Sequence, residues 1–242
     1  MSKLLILLYA VLSYFIGVAG LLVIIGALAR LVPYGFLLEV PLGEAEAFLW
    51  NLGLVAIWGF IHTAMARPSF KKKITKLIPV AAERATYILM AGLTSVALIG
   101  FWQQVSGNVW SVEATVWVYI LWGIFIFGWA FLLASTFAIN HFNLFGLQQA
   151  YLNFRSQSNP PLKFVERAMY KYIRHPIQTG VLIGVWATPF MSMTQLPLSL
   201  GFTVYIFIGL WFEERDLVRE HGEAYLSYRK TAGKVLPRFG AR

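Results

Sequence analysis

The segments YKYIRHPIQTG (residues 170–180) and WFEERDLVREHGEAYLSYR (residues 211–229) enclose a mostly apolar run from Ile177 to Phe212. A run of about 36 residues is long enough for two helices that leave a membrane face and return to it, because one crossing needs about 20 residues. Pro189 and Pro197 interrupt the run and predict a turn between the two helices. The sequence therefore predicts a C-terminal helical hairpin, residues 177–212, with a charged segment at each end.

The composition indicates a membrane protein. Of the 242 residues, 58% are hydrophobic and 13% are charged, and the mean hydropathy is +0.65. Soluble domains carry about 25% charged residues, so this chain is expected to fold largely in lipid. Cysteine is absent, which excludes disulfides, thiolate metal ligands and a cysteine nucleophile. No metal site is predicted.

Four further apolar segments predict transmembrane helices, at residues 4–28, 47–66, 84–103 and 115–139. Together with the hairpin and a cytoplasmic amphipathic tail, residues 213–242, they predict an all-α integral membrane protein. The sequence contains no internal repeat and no linker to a soluble domain. We therefore expect a single domain over residues 1–242.

The distribution of basic residues predicts the orientation in the membrane. Lysine and arginine lie before the first span, in the loop from Arg67 to Lys76, between the fourth span and the hairpin, and in the tail. Among the basic residues outside the predicted spans, only Arg30 lies in a loop on the opposite side of the membrane. By the positive-inside rule the N-terminus and the C-terminal tail are cytoplasmic, at the inner membrane if the cell is bacterial. The net charge of +9 thus follows topology and membrane lipid, and we expect no nucleic-acid partner.

The first charged segment has the features of an anion-binding helix start. Arg174 and His175 precede Pro176, and proline favours the first position of a helix. The backbone N–H groups of that helix start, the arginine and the histidine would together bind an anionic group. Gly180 would let another helix or a flat ligand approach the backbone closely.

The second charged segment supplies carboxylates. Glu213 and Glu214 would lie near Arg174 if the two arms of the hairpin are antiparallel. They could accept hydrogen bonds from hydroxyl groups or neutralise a cation, so the two segments suit a zwitterionic ligand with a carboxylate, an amine and a ribose. The same residues could instead form an interfacial ion network in which Arg174 and Arg215 pair with Glu213, Glu214 or Asp216. The residue types leave both interpretations open.

These motifs together resemble a known group of membrane enzymes. RHP with a glycine four residues after the proline, an apolar hairpin, and then EER and G-x-x-Y-x-x-Y resemble the membrane methyltransferases typified by isoprenylcysteine carboxyl methyltransferase and the phospholipid methyltransferases. The segments HTAMARPSFK, ERATYILM and INHFNLFGLQQ are most similar to the methanethiol S-methyltransferases. The H-[ST]-x-x-A-R element from His62 to Arg67 is also similar to the NnrU family.

The resemblance implies a membrane methyltransferase domain that binds S-adenosyl-L-methionine at the cytoplasmic face and releases S-adenosyl-L-homocysteine. The acceptor that it implies is the sulfur of a small thiol, methanethiol, with dimethyl sulfide as the product, because the chain lacks the large additional segments of the prenyl enzymes. No obligate protein partner is evident. The cofactor-binding residues implied are Tyr172, Arg174, His175, Pro176, Gly180, Glu213, Glu214, Tyr225 and Tyr228.

Methyl transfer to a thiol also needs a proton acceptor, because a small thiol with a pKa of roughly 8.5 to 10 is mostly protonated at neutral pH. The candidates near the apolar region are His62, at the end of the second span, His141, just after the fourth, and Tyr87, in the third. His62 could instead bond to a helix carbonyl or, by the NnrU likeness, correspond to a haem-ligating position. Arg84 and Tyr87 could serve as interfacial anchors. His141 is slightly favoured because polar neighbours surround it.

Two other functions remain open from the sequence. A methyltransferase of the same architecture could act on a lipid or on a prenylcysteine carboxyl group. Alternatively, the chain could be a haem-binding NnrU-like membrane protein. The paired RHP and EER segments favour a methyl donor, because haem needs axial ligands that face one cavity, and His62 has no evident partner in the sequence.

Overall fold

The computed structural model describes residues 2–160 and 166–239. The chain divides into two compact units, Met1–Ser106 with Asn140–Leu162, and Gly107–Ile139 with Lys163–Arg242. Most described residues are helical. The helices are, in chain order, α1 (Lys3–Leu28), α2 (Glu44–Ala66), α3 (Pro68–Ile74), α4 (Val80–Gly100), α5 (Thr115–Ile139), α6 (His141–Leu144), α7 (Leu147–Phe154), α8 (Pro176–Trp186), α9 (Leu196–His221) and α10 (Glu223–Thr231). The strands β1 (Asn108–Ser111) and β2 (Phe190–Ser192) and a 3₁₀ turn (Ala168–Lys171) accompany them.

Five of these helices, α1, α2, α4, α5 and α9, are long and apolar enough to cross a membrane, by length and composition. Their mean hydropathy over an 18-residue window lies between 1.2 and 2.5. Large apolar side chains such as Phe15, Phe60 and Phe127 are well exposed on them, as expected for surfaces that face lipid rather than water. The chain is therefore a nearly all-α, multi-pass membrane protein.

In the first unit, α1 packs closely against α4 because small residues lie at the contact. A Cβ atom at Gly20 would lie 2.5 Å from the carbonyl oxygen of Gly92, so neither helix could carry a larger side chain there without moving. Close backbone approach at glycine is a common basis of helix association in membranes. α7 covers the same pair, with Ala150 packed among Ile6, Ala10 and their neighbours.

In the second unit, α8 packs antiparallel against α5, again through glycines. A Cβ atom at Gly180 would lie 2.6 Å from the carbonyl oxygen of Gly128, and one at Gly184 would lie 2.5 Å from the indole ring of Trp129. Gly180, which the sequence suggested for close approach by a helix or a flat ligand, thus contacts a neighbouring helix.

The first arm of the hairpin is a short helix completed by extended chain. α8 has 11 residues, so it is about 16 Å long and cannot cross a hydrocarbon core of about 30 Å. The chain continues into β2, which pairs with β1 in antiparallel register, with Trp110 opposite Met191. Since β1 lies just before the start of α5, α8 and the extended chain after it run together along α5.

The second arm, α9, returns along the first. The Ser199 hydroxyl donates to the carbonyl of Val185 at 2.7 Å, and the Trp186 indole donates to the Thr203 hydroxyl at 2.9 Å. α8 and α9 therefore run antiparallel to each other. Pro197 lies in the first turn of α9, and the connection between the arms contains a strand that the prolines alone did not predict.

Two of the helices have bounds that differ from those of the predicted spans. The third span was predicted over residues 84–103, but α4 runs from Val80 to Gly100. It begins directly after Pro79 and ends before Gln103, whose backbone N–H bonds to the Asn51 side chain at 2.8 Å and whose side chain bonds to the backbone of Val40 at 2.8 Å. These polar contacts hold Gln103 outside the helix. The second span begins at Glu44 rather than at residue 47, whereas α5 has the predicted bounds.

The predicted tail also differs from the structure. It was expected to begin at residue 213, but α9 continues through Glu213 and Glu214 to His221. The helix ends at Gly222, whose φ of 54° lies in the left-handed region that glycine adopts readily. Only α10 and the segment after it are separate from the hairpin. The last residues of the predicted tail, 240–242, lie outside the described residues, as does the stretch 161–165 before the hairpin.

Candidate functional site

A buried carboxylate, Glu214, lies at the centre of the candidate site in the second unit. Its Oε1 atom accepts from Arg174 Nε at 2.8 Å and lies 3.2 Å from His175 Nε2. The hydroxyl of Tyr225 lies 3.5 Å from the same oxygen. Arg229 Nε approaches Oε2 at 3.8 Å. We refer to these five residues, Glu214, Arg174, His175, Tyr225 and Arg229, as the Glu214 network. Glu214 and His175 are only 8% and 4% exposed, so these contacts form in a low-dielectric setting where they are strong.

The sequence folds into this arrangement because backbone bonds join the segment before α8 to the segment after α10. The N–H groups of Arg174 and His175 donate to the carbonyls of Gly233 and Lys234 at 2.8 and 3.1 Å. In return, Gly233 N–H donates to the Tyr172 carbonyl at 2.9 Å. These bonds fix Arg174 and His175 beside the end of α9, where Glu214 lies.

Buried tyrosines support the network from α10. Tyr228 donates a hydrogen bond to the carbonyl of Tyr170, and Tyr170 donates to the carbonyl of Ser135 on α5 at 3.4 Å. Burial raises the pKa of Tyr225 and of Tyr228 well above the ordinary tyrosine value, so both remain neutral hydroxyl donors. Tyr170 was not among the predicted site residues. Its position four residues before Arg174, within the quoted motif, was the available signal.

The structure gives the two adjacent glutamates different environments. The Glu214 carboxylate faces inward and contacts the side chains of Arg174, His175 and Tyr225. The Glu213 side chain is half exposed, and its Oε2 lies 3.9 Å from His175 Nδ1. Of the ion pairs considered from the sequence, that of Arg174 with Glu214 is present, whereas the Arg215 guanidinium lies over the Trp211 ring at 4.7 Å. The carboxylate of Glu213 is half exposed.

The start of α8 supplies hydrogen-bond donors, but the Arg174 guanidinium is less available to a ligand than the sequence suggested. Pro176 occupies the first turn, as predicted, and among the described residues no side chain caps this helix start. Arg174 Nε is paired with Glu214, and its Nη1 donates to the carbonyls of Arg229 and Ala232. An anionic ligand would thus meet chiefly backbone N–H groups. Tyr172 is 44% exposed, with its ring 5.3 Å from that of Phe239.

Two of the three predicted proton acceptors lie together in the first unit. The ring of His62 lies 6.1 Å from that of Tyr87, edge to face, and 4.0 Å from that of Trp58. His62 Nδ1 lies 2.8 Å from the carbonyl of Trp58, one turn earlier. The structural alternative for His62, a bond to a helix carbonyl, is therefore present. The Arg84 guanidinium lies over the Tyr87 ring at 4.8 Å.

The third candidate, His141, begins α6 in the same unit. It is 3% exposed, and its Nε2 lies 3.0 Å from the Tyr14 hydroxyl. The ring of Phe145 lies 4.5 Å from the imidazole. Burial lowers the pKa of His141, because the charged imidazolium loses hydration. The side chain is therefore neutral at pH 7 and able to accept a proton.

On α6 and α7, three buried amide atoms have no hydrogen-bond partner within the described parts of the chain: Asn143 Nδ2, Gln149 Oε1 and Asn153 Nδ2. Gln149 Nε2 donates to the Asn143 carbonyl at 3.0 Å, and Gln149 and Asn153 lie on one face of α7. Unpaired buried amides mark a place where a polar ligand or water would bind. Sequence reasoning noted the polar neighbours of His141 but missed Gln149 and Asn153, whose spacing of four residues was the available signal.

The chain is similar over its whole length to curated proteins of known activity. It is 37% identical to Methanethiol S-methyltransferase 2 of Bradyrhizobium diazoefficiens over 242 residues, which is 100% of this chain and 93% of the relative. It is 35% identical to Methanethiol S-methyltransferase of Crocosphaera subtropica over 243 residues, 100% of this chain and 95% of the relative. The chain belongs to the methanethiol S-methyltransferase family. This confirms the family resemblance inferred from the motifs.

A third relative supports the same assignment. Methanethiol S-methyltransferase of Mycobacterium tuberculosis is 38% identical over 200 residues, which cover 83% of this chain and 81% of the relative. The chain matches no protein-family model and no solved structure.

The different environments of the two glutamates predict different effects on stability. Glu214→Ala should lower the melting temperature by roughly 10 °C, because removing one partner of a buried ion pair costs about 3–5 kcal/mol. Glu213→Ala is the matched control on the next position of the same helix. Its side chain is half exposed, so the melting temperature should change by about 2 °C or less. Tryptophan fluorescence during heating of both variants in one detergent measures the difference. Equal shifts would contradict the central place of Glu214.

Proposed function

We propose that this membrane methyltransferase transfers the methyl group of S-adenosyl-L-methionine to the sulfur of methanethiol, giving dimethyl sulfide and S-adenosyl-L-homocysteine. Membership of the methanethiol S-methyltransferase family carries the proposal. The Glu214 network and the uncapped start of α8 support it, because they offer the groups that such a donor needs.

The residues of the second unit suit a zwitterionic methyl donor. Glu213 presents a half-exposed carboxylate, which can bind an amine or accept bonds from ribose hydroxyls. The N–H groups at the start of α8 suit a carboxylate. His175, Arg174 and Tyr225 hold Glu214 and so keep the helix start and the end of α9 in place. S-Adenosylmethionine, when bound, supplies a methyl group carried on a sulfonium cation.

In this proposal the remaining side chains orient the thiol, exclude water and remove its proton. Attack of a thiolate on a sulfonium removes two opposite charges, so apolar surroundings favour the transition state over solvated reactants. Correct positioning supplies a further large part of the acceleration. We assign proton acceptance to His141, because burial keeps its imidazole neutral and the Tyr14 hydroxyl orients the ring. His62 and Tyr87 are the alternative acceptors.

The proposed topology follows the charge distribution. The Glu214 network and the start of α8 would lie at the cytoplasmic face, and the connection between α8 and α9, with β1 and β2, would lie at the opposite face. The hairpin then adds two passes to those of α1, α2, α4 and α5. Both the N-terminus and the segment after α9 would be cytoplasmic, as the positive-inside rule predicts.

The reaction can be tested with labelled donor. Detergent-purified protein is incubated with methanethiol and S-adenosylmethionine whose methyl group carries deuterium, and the headspace is analysed by gas chromatography with mass detection. We expect dimethyl sulfide that contains one labelled methyl group, formed only in the complete mixture. Heat-treated protein and a reaction without donor are the controls. Absence of labelled sulfide from protein that remains folded would contradict the proposal.

The proton acceptor can be identified from the pH dependence of turnover. Because burial lowers the pKa of His141 below its usual value near 6.5, the imidazole stays neutral at that pH and is protonated only on further acidification. The acidic fall in kcat should therefore have its midpoint below about pH 6.5. His141→Gln should lower kcat by about 10²-fold or more with unchanged affinity for the donor.

His62→Gln is the matched control, a buried histidine in the same unit. It should retain most of the turnover and the same pH profile. If His62→Gln loses turnover while His141→Gln does not, the assignment of the base to His141 is wrong.

A further inference from the structure

An apolar groove of about 410 Å³ lies within the second unit, between α5, α8 and the segment after α10. Its volume falls in the range of about 300–1,000 Å³ that is typical of ligand sites, far more than methanethiol with its two heavy atoms requires. The walls are formed chiefly by Phe127, Phe131, Ile173, Leu182, Val235 and Leu236.

The lining is suited to hydrocarbon. Among the described residues that line the groove, only Thr179 and Tyr172 have polar side chains. The Thr179 hydroxyl lies 3.1 Å from the carbonyl of His175 and 2.7 Å from that of Val235, so it is satisfied within the protein. A polar ligand would gain few hydrogen bonds here, whereas an alkyl chain would bury apolar surface.

Two of the lining side chains are strongly exposed, and one of them lies on a helix that is apolar enough to cross a membrane. Phe127, on the membrane-crossing helix α5, is 56% exposed, and Phe239, at the other rim, is 73% exposed. Exposed apolar concavities of this kind mark sites of interaction. In a membrane protein the surrounding apolar medium consists of acyl chains.

The two chain segments at the rim are basic. Residues 166–173 and 232–239 contain Arg167, Lys171, Lys234 and Arg238 and a single carboxylate, that of Glu166. Lys171 and Arg238 are exposed, and each adjoins a lining residue in the chain: Tyr172 for Lys171, Phe239 for Arg238. Basic residues beside an apolar surface at a membrane face attract anionic lipid headgroups.

We propose that this groove binds one acyl chain of an anionic phospholipid, whose phosphate lies against Lys171 and Arg238. The lipid contacts the segment 232–239, which is held to Tyr172, Arg174 and His175 by backbone hydrogen bonds. The bound lipid therefore stabilises segment 232–239 in its position beside α8, next to the Glu214 network. The site is independent of methyl transfer, so binding can be measured without either substrate.

The test is native mass spectrometry of the full-length protein in detergent, titrated with phosphatidylglycerol and with phosphatidylcholine of the same acyl chains. Leu182→Trp fills the groove, and Lys171→Gln with Arg238→Gln removes the rim charges. Leu133→Trp on the exposed surface of α5, outside the lining, and Lys72→Gln with Lys73→Gln are the matched controls. Melting temperatures establish that each variant is folded.

We expect phosphatidylglycerol to bind at least tenfold more tightly than phosphatidylcholine. Affinity should fall about fivefold for each rim charge removed and be lost in Leu182→Trp, while both controls keep wild-type affinity. Equal binding of the two lipids would overturn headgroup recognition. If Leu182→Trp binds phosphatidylglycerol normally, the groove is not the phospholipid site. If a long-chain alkanethiol displaces the lipid at equal concentration, the groove is an acceptor site and not a dedicated phospholipid site.

Discussion

The paired, buried carboxylate of Glu214 is the interaction on which the C-terminal half depends. It lies on the last turns of α9, close to where the helix leaves the apolar region, and a lone charge there would be strongly disfavoured. Arg174 and His175 come from the segment before α8, and Tyr225 comes from α10. One carboxylate thus joins three separate parts of the chain. Loss of Arg174 would leave the buried carboxylate without its close counter-ion, and loss of Tyr225 would remove a neutral donor to it. We therefore expect α8, α9 and α10 to behave as one structural unit.

The remaining architecture of that unit brings these groups to the same end of the hairpin. Glycines on α5 and α8 allow the helix backbones to meet closely. The pairing of β1 with β2 closes the opposite end, so a helix of only 11 residues can serve as one arm. The returning arm, α9, is long enough to bring Glu213 and Glu214 back to the start of α8. The start of α8 and a pair of carboxylates are thereby adjacent, and one carboxylate is paired within the protein while the other is half exposed.

Much of this could be predicted from the sequence, for identifiable physical reasons. Long apolar runs reveal spans, so α5 was predicted with its observed bounds, and the RHP and EER segments indicated the hairpin and the residues that meet at its base. The polar contacts that exclude Gln103 from α4, and the strand pair, depend on partners distant in sequence. The same holds for the different environments of Glu213 and Glu214, since adjacent identical residues cannot be distinguished without knowing which one faces inward. The amides Gln149 and Asn153 were missed because each is notable for one buried side-chain atom with no hydrogen-bond partner among the described residues, which a sequence does not reveal.

We propose that Arg174 and Glu214 influence the binding of S-adenosylhomocysteine as one coupled pair. A double-mutant cycle tests it directly: the affinity for S-adenosylhomocysteine is measured by titration calorimetry for wild type, Arg174→Gln, Glu214→Gln and the double variant. Each single change should weaken binding, and the double variant should bind about as well as the weaker single variant, with a coupling free energy of about 1–3 kcal/mol. Additive losses, with the double variant weakened by the product of the two single factors, would contradict the account.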